Sequence, residues 1–305
     1  MAISAKDVME LRKQTDCGMM ECKKALTQAD GDFAKAVEIL REQGLATATK
    51  KAGRIAAEGM VYATATANAA VVVEVNAETD FVAKNDKFVD FVKNLATVIC
   101  DQKPADVEAL MACKMGENTV DEELKGLILV IKENIKVRRF ARYEGACAAY
   151  VHGGGTHGVI VKFETAADVA AKADFTAFGK DIAMQVAAAN PSYLNRADVP
   201  ADVIAKEKEI VLAQMANDPK TANKPDAIKE KMVLGRIGKY YKENCLVDQA
   251  FIKDGNMDVN QYVAATAKEL GGEIKIVEFT HYVKGEGIEK RSDDFAAEVA
   301  AAVKG

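Results

Sequence analysis

The spacing of apolar positions changes several times along the chain, and each change marks an element. From Ser4 the period is helical. Ser4-x-x-Asp7 has the form of a capping box, and Val8 and Leu11 fall on one face. Gly18 interrupts the pattern. A second helical stretch carries Met19-Met20-Glu21-Cys22-Lys23-Lys24-Ala25-Leu26. Asp30-Gly31-Asp32 then supplies a turn and an N-cap for a third helix, with Phe33, Val37 and Leu40 as its stripe and Gly44 placed to end it. Residues 1–55 read as a three-helix domain. Lys50, Lys51 and Arg54 behind it read as a basic, solvated connector.

From about Gly59 the period becomes two. Met60–Thr66 and Ala70–Val75 form a hairpin around Ala67-Asn68-Ala69. A helix from Lys87 to Ile99 follows, with Phe88, Phe91, Val92 and Leu95 on one side. Between strand and helix lies Glu78-Thr79-Asp80-Phe81-Val82-Ala83-Lys84-Asn85. Thr79 or Asp80 is placed to cap the helix, because a short oxygen-bearing side chain accepts its free N–H groups. Phe81, a large ring beside a carboxylate, is either tucked into the core, where Phe usually sits, or presented outward. Met19 and Met20 leave a similar choice. Adjacent residues cannot share one narrow helix face, so either one is buried and one merely exposed, or both form an adaptable contact surface.

Helical stretches near 105–114 and 120–135 lead to strands near 137–143 and 146–151. In His152-Gly153-Gly154-Gly155-Thr156-His157-Gly158, three glycines spell G-x-G-x-x-G. A dinucleotide fold needs a helix after that motif, whereas Val159-Ile160-Val161-Lys162-Phe163 is a strand, so the segment reads as a hairpin loop. His152 and His157 have no third ligand in view, and no metal or cofactor site is expected.

The chain then repeats itself. A shift of 87 lays Val82 on Val169, Ala83 on Ala170, Phe88 on Phe175, Phe91 on Phe178, Lys93 on Lys180, Ala96 on Ala183 and Pro104 on Pro191. Two related hairpin-plus-helix units follow. At the positions of Asp80-Phe81 the second unit has Ala167-Asp168. A ring needed for the core of this kind of unit would be matched by an apolar residue there, so the comparison points to an exposed Phe81.

Four of the five prolines lie between Pro191 and Pro225, around helical stretches near 200–217 and 224–243. They mark an inserted helical hairpin. After it come a helix from Val259 to Leu270, a strand from Glu273 to Val283, the loop Gly285–Lys290 and a last helix from Asp293 to Val303. The fold class is α+β. The domains are 1–55, then 56–145 as the first core subdomain and 146–190 with 234–283 as the second. Residues 191–233 are the inserted hairpin and 284–305 a C-terminal module.

Composition narrows the function classes. A net charge of −5, from 41 basic and 46 acidic residues, disfavours a nucleic-acid partner. No apolar run is long enough to span a bilayer. Six cysteines without paired or metal-ligand spacing suit reduced thiols in a cytoplasmic protein. No Ser-His-Asp, Cys-His or carboxylate pair suggests an enzyme.

Several stretches together resemble the bacterial elongation factor Ts family, the guanine nucleotide exchange factors for elongation factor Tu. They are Leu11-Arg12-x-x-Thr15 with Gly18–Leu26, Glu78–Asn85, Tyr150-Val151-His152-Gly153, Pro200–Glu207, Lys231-Met232-Val233-x-Gly235-Arg236 and Gly285–Lys290. The resemblance covers essentially the whole chain. It implies an N-terminal domain like ubiquitin-associated domains, a two-subdomain core and a hairpin that in some members mediates dimerisation. It also implies that Thr79, Asp80, Phe81 and Val82 disturb the Mg²⁺ site of elongation factor Tu, that Met19 and Met20 touch the same partner domain, and that His152 touches another. Asp16-Cys17 stands where the family usually has Gly and a small residue, Lys132 where Gly is usual, and Gln185 where His is common.

Overall fold

The N-terminal domain is helical because its caps and stripes agree. In the computed structural model, which describes residues 3–289, the Ser4 hydroxyl accepts the Asp7 N–H and the Asp7 carboxylate accepts the Ser4 N–H at the start of α1 (Ala5–Thr15). α2 (Met19–Gln28) and α3 (Phe33–Lys51) follow. Val8, Leu11, Cys22, Ala25, Leu26, Ala36 and Leu40 form the shared core. Gly44 does not end α3, as its residue type suggested. The helix runs on to Lys51, and a Cβ at Gly44 would lie 3.1 Å from the Lys125 carbonyl oxygen. This glycine serves a close approach between helices.

The first sheet unit comprises β1 (Glu58–Ala65), β2 (Ala69–Ala77), α4 (Asp86–Gln102), α5 (Val107–Ala112), the short pair β3 (Lys114–Met115) and β4 (Asn118–Thr119), α6 (Val120–Ile131) and β5 (Lys136–Glu144). The antiparallel sheet runs β1-β2-β5. Phe88, Phe91, Val92, Leu95 and Ile99 of α4 pack on Val71, Val73 and Val75 of β2. α6 serves two cores: Leu127 and Ile128 join this one, and Leu129 joins that of the three N-terminal helices.

The second unit repeats the plan with β6 (Ala146–His152), β7 (His157–Thr165), α7 (Ala167–Ala170), α8 (Ala173–Ala189) and, after an insertion, the returning strand. The insertion holds α9 (Ala201–Asn217) and α10 (Asp226–Asn244). β8 (Ala250–Phe251), β9 (Asp254–Asp258), α11 (Val259–Leu270) and β10 (Ile274–Val283) complete the described chain. The sheet order is β6-β7-β10. α4 and α8 begin and end 87 residues apart, and each is closed by a left-handed residue, Lys103 (φ 53°) or Asn190 (φ 42°). Val82 and Val169 are both buried, as the repeat requires.

The two sheets pack back to back through Val61, Ala63, Ala70 and Val72 of one and Ile160 of the other, with the long helices outside. β2 therefore has α4 on one face and the second sheet on the other. Every residue of it is buried, and Ala69–Val73 reads as an unbroken apolar run. The glycine-rich loop belongs to this joint. Gly153, Gly154 and Gly155 take positive φ, the Gly155 carbonyl accepts the Val61 N–H at 2.8 Å, and a Cβ on Gly158 would lie 2.4 Å from Val61 Cγ1. Those glycines let two sheets meet, and a strand follows them.

α9 and α10 have a small core of their own, Val211, Met215, Val233 and Ile237. The division drawn at residue 233 falls inside α10. The chain re-enters the unit later, where Tyr193 bridges Cys245 and the Ser192 and Tyr193 N–H groups donate to the Asn244 carbonyl. All six cysteines are free thiols. The helix expected over Asp293–Val303 lies outside the described residues. Among those described, no helix is long and apolar enough to cross a membrane.

Candidate functional site

The corner between β2 and α4 is built from hydrogen bonds to distant segments together with one buried side chain. After Ala77 the chain leaves the sheet. The Thr79 N–H and hydroxyl both donate to the Glu133 carboxylate, at 3.0 and 2.7 Å. The Glu78 carboxylate accepts the Asn134 N–H at 2.6 Å and meets the Arg54 guanidinium at 3.4 Å. One turn of 3₁₀ helix, Val82–Lys84, then leads into α4.

The cap of α4 is Asn85, whose side chain accepts the Lys87 N–H at 3.0 Å. Neither Thr79 nor Asp80 caps it, because the 3₁₀ turn moves the cap five residues beyond Asp80. The Asn85-Asp86 pair directly before the apolar period is a signal that could have located the cap. The Asp80 carboxylate instead meets Lys84 at 3.4 Å, with both side chains mostly in water.

Phe81 is 79% exposed. Of the two placements open to it, the outward one is found. The ring stands between a fully buried strand and a buried valine, so its base is fixed while its face is in water. Val82 differs from its three neighbours: its side chain lies in the core against α4. Any contact it makes outward is through its backbone, and its side chain anchors the corner.

Met19 and Met20 are both exposed, at 41% and 64%, and open the first turn of α2. Glu21 follows them, and a hydrogen bond from the Lys132 ammonium holds its carboxyl below the usual carboxylate range despite some desolvation. Asp16 and Lys132 are both left-handed closing residues of helices, at φ 56° and 67°. The backbone at each thus has the shape that glycine adopts most readily. Gln185 is buried, bonded to Gln249, the Ala250 carbonyl and the Ile252 N–H.

His152 lies at the far end of β6, exposed, with Nδ1 3.0 Å from the Tyr150 hydroxyl. The other two histidines are nearby. His157 and His281 are stacked with ring nitrogens 3.0 Å apart, and His281 faces Asn190. Burial, then the neighbouring His157, pushes the His281 imidazole below its ordinary value. Among the described residues no group of His, Cys, Asp or Glu could hold a metal ion.

The sequence reading marked Lys132 only as a departure from the family pattern and did not connect Glu133 and Asn134 with the corner. Glu133 and Asn134 lie more than fifty residues from the corner they support, and no local pattern connects them to it.

Comparison with known proteins bears on the family of the chain. Residues 78–286 match the family model described as elongation factor TS, beginning at the corner and ending in the loop after β10. A protein named elongation factor Ts from Trichlorobacter lovleyi is 49% identical over 311 residues, with 99% of each chain covered. Proteins of the same name from Syntrophotalea carbinolica and Clostridium perfringens strain SM101 are each 47% identical, over 312 and 304 residues, covering 100% and 98% of both chains. On the family model and on these near full-length relatives, the chain belongs to the elongation factor Ts family, a family of elongation factors of protein biosynthesis.

Proposed function

We propose that this protein is a guanine nucleotide exchange factor. It binds elongation factor Tu in its GDP-bound form, disturbs the Mg²⁺ and nucleotide site through the Thr79–Val82 corner, and promotes GDP release so that GTP can load. The observation that carries this reading is the exposed Phe81 ring on a fixed corner, where the second unit has the polar Asp168.

The physical logic needs no catalytic group. Covering one aromatic ring on binding is worth up to about 2–3 kcal/mol at 25 cal per Å². Applied to a wall that also holds a metal ion, it favours the arrangement in which the metal's ligands are displaced. Coupling is reciprocal, so a factor that weakens GDP must itself bind the empty partner more tightly. Met19 and Met20 supply an adaptable second contact, and His152 a third from the other unit. Ile210, Leu212, Ile228 and Leu234, exposed on the α9–α10 hairpin, support self-association through it.

The test follows labelled GDP leaving elongation factor Tu. Phe81→Ala should slow release severely, and Asp80→Ala should impair it. Asp168→Ala, the matched position of the second unit, should leave it near the unaltered rate. A folded Phe81→Ala protein that exchanges normally would refute the reading.

A further inference from the structure

The exposed methionines and the exposed phenylalanine lie on different elements, about sixty residues apart in sequence. One three-residue segment bonds to residues beside each. Lys132, which closes α6, carries its ammonium to Glu21 Oε1 in the first turn of α2, 2.5 Å away. Glu133 accepts the Thr79 N–H and hydroxyl. The Asn134 N–H donates to Glu78 Oε1, and its side chain donates to the Arg54 carbonyl at 2.7 Å. The segment cannot drift, because α6 precedes it and the buried Ile135 and β5 follow it.

A second tie runs alongside. Asp16, which closes α1, meets the ammonium of Lys87 in the first turn of α4 at 3.3 Å. α4 is the helix that leaves the Phe81 corner. Both helix-closing residues are left-handed although they carry side chains, a shape that L residues avoid. A glycine would close either helix with less strain. Both side chains instead reach across to the neighbouring unit. The ion pairs are too open to water to matter much for folding, with Lys132 and Glu21 side chains 47% and 30% exposed. What they change is where α2 stands relative to the corner.

We propose that Lys132-Glu133-Asn134, with the Asp16–Lys87 pair beside it, is a spacing clamp that holds Met19 and Met20 at a set distance from Phe81, so that both meet one partner surface in a single register. These are positioning residues, and the proposal rests on the exchange reading above. Lys132 and Asp16 set where α2 stands and act on affinity. Glu133 sets the attitude of the corner and acts on the maximal rate of release.

The experiment uses the full chain and GDP-loaded elongation factor Tu. It records the maximal release rate, the factor concentration at half-maximal rate, and Tm. Lys132→Glu and Glu21→Lys should each raise the half-maximal concentration on the order of tenfold, with Tm within about 2 °C of the parent. The double charge swap should restore most of the affinity. Glu133→Ala should lower the maximal rate on the order of tenfold. Added to Phe81→Ala it should cause no further loss, since both act through one ring. Unchanged half-maximal concentrations in both single charge variants, or a double swap that rescues nothing, would overturn the clamp. So would a Glu133→Ala loss that adds fully to that of Phe81→Ala. Normal exchange by Phe81→Ala alone would refute the site reading instead, and the charge swap would still decide the clamp from affinity.

Discussion

Two phenylalanines seven residues apart show how position rather than residue type sets a side chain's work. Phe88 is fully buried against β2, whereas Phe81 is mostly in water. Phe88→Ala should therefore cost about 3–5 kcal/mol, and Phe81→Ala within about 0.5 kcal/mol of nothing, in denaturant unfolding. Equal losses would mean that Phe81 belongs to the core. The outward placement of Phe81 was legible only because the chain contains its own control, the polar residue at the repeated position. The same local reading put the cap too early. It took the first oxygen-bearing residues after the strand, and the 3₁₀ turn that postpones the helix to Asn85 has no pattern of its own over three residues.

Among elements, the strongly periodic ones were readable nearly to the residue: α11 spans Val259–Leu270 as its stripe required, and α4 extends the expected helix by one residue at its start and three at its end. The failures came where an element's reason lies outside itself. Gly44 looked like a stop and is a contact with α6. Residue 233 looked like a boundary, yet α10 passes through it because Val233 and Ile237 share the hairpin core. That difference can be measured. Replacing 199–242 by a short flexible linker cuts near the place where Tyr193 meets Cys245, and should leave one cooperative thermal transition. Cutting 192–233 leaves the last part of α10 without its partner helix and should lower Tm by several degrees more. Loss of cooperativity in the first deletion would make the hairpin part of the core. If the hairpin also mediates self-association, the same deletion should sediment as a monomer.

The whole molecule is tied together by one buried carboxylate. Glu74 of β2 is fully buried and accepts from Arg138, Arg139, Asn76 and the Gly285 N–H, joining the first sheet to the loop after β10. Burial by itself raises its pKa, but the Gly285 N–H and then the Arg139, Asn76 and Arg138 donors outweigh it, and the net direction is down. A depressed carboxyl contributes stability that is present above the ordinary glutamate value and is lost as pH falls through the lower folded value. Tm should thus decline on acidification below the ordinary carboxylate range. Glu74→Gln should cost about 1–3 kcal/mol at neutral pH and flatten that acid decline. An unchanged acid limb in the variant would assign the decline to other groups. Nothing in the sequence pointed to Glu74, which sits in an apolar run as a single charged letter with partners on two distant segments.

The back-to-back sheets have one more consequence, a mechanical one. A Cβ at Gly158 would lie 2.4 Å from Val61 Cγ1, so the two sheets are packed tightly together; if Phe81 and His152 both meet the partner, as proposed, a push at one is opposed at the other across this joint. Under the proposed function the factor is then a stiff lever gripping a softer body at separated points. Deformation falls on whichever side yields first, and the yielding side is the nucleotide pocket being opened. Exchange becomes a contest of compliance, in which this chain prevails by refusing to bend.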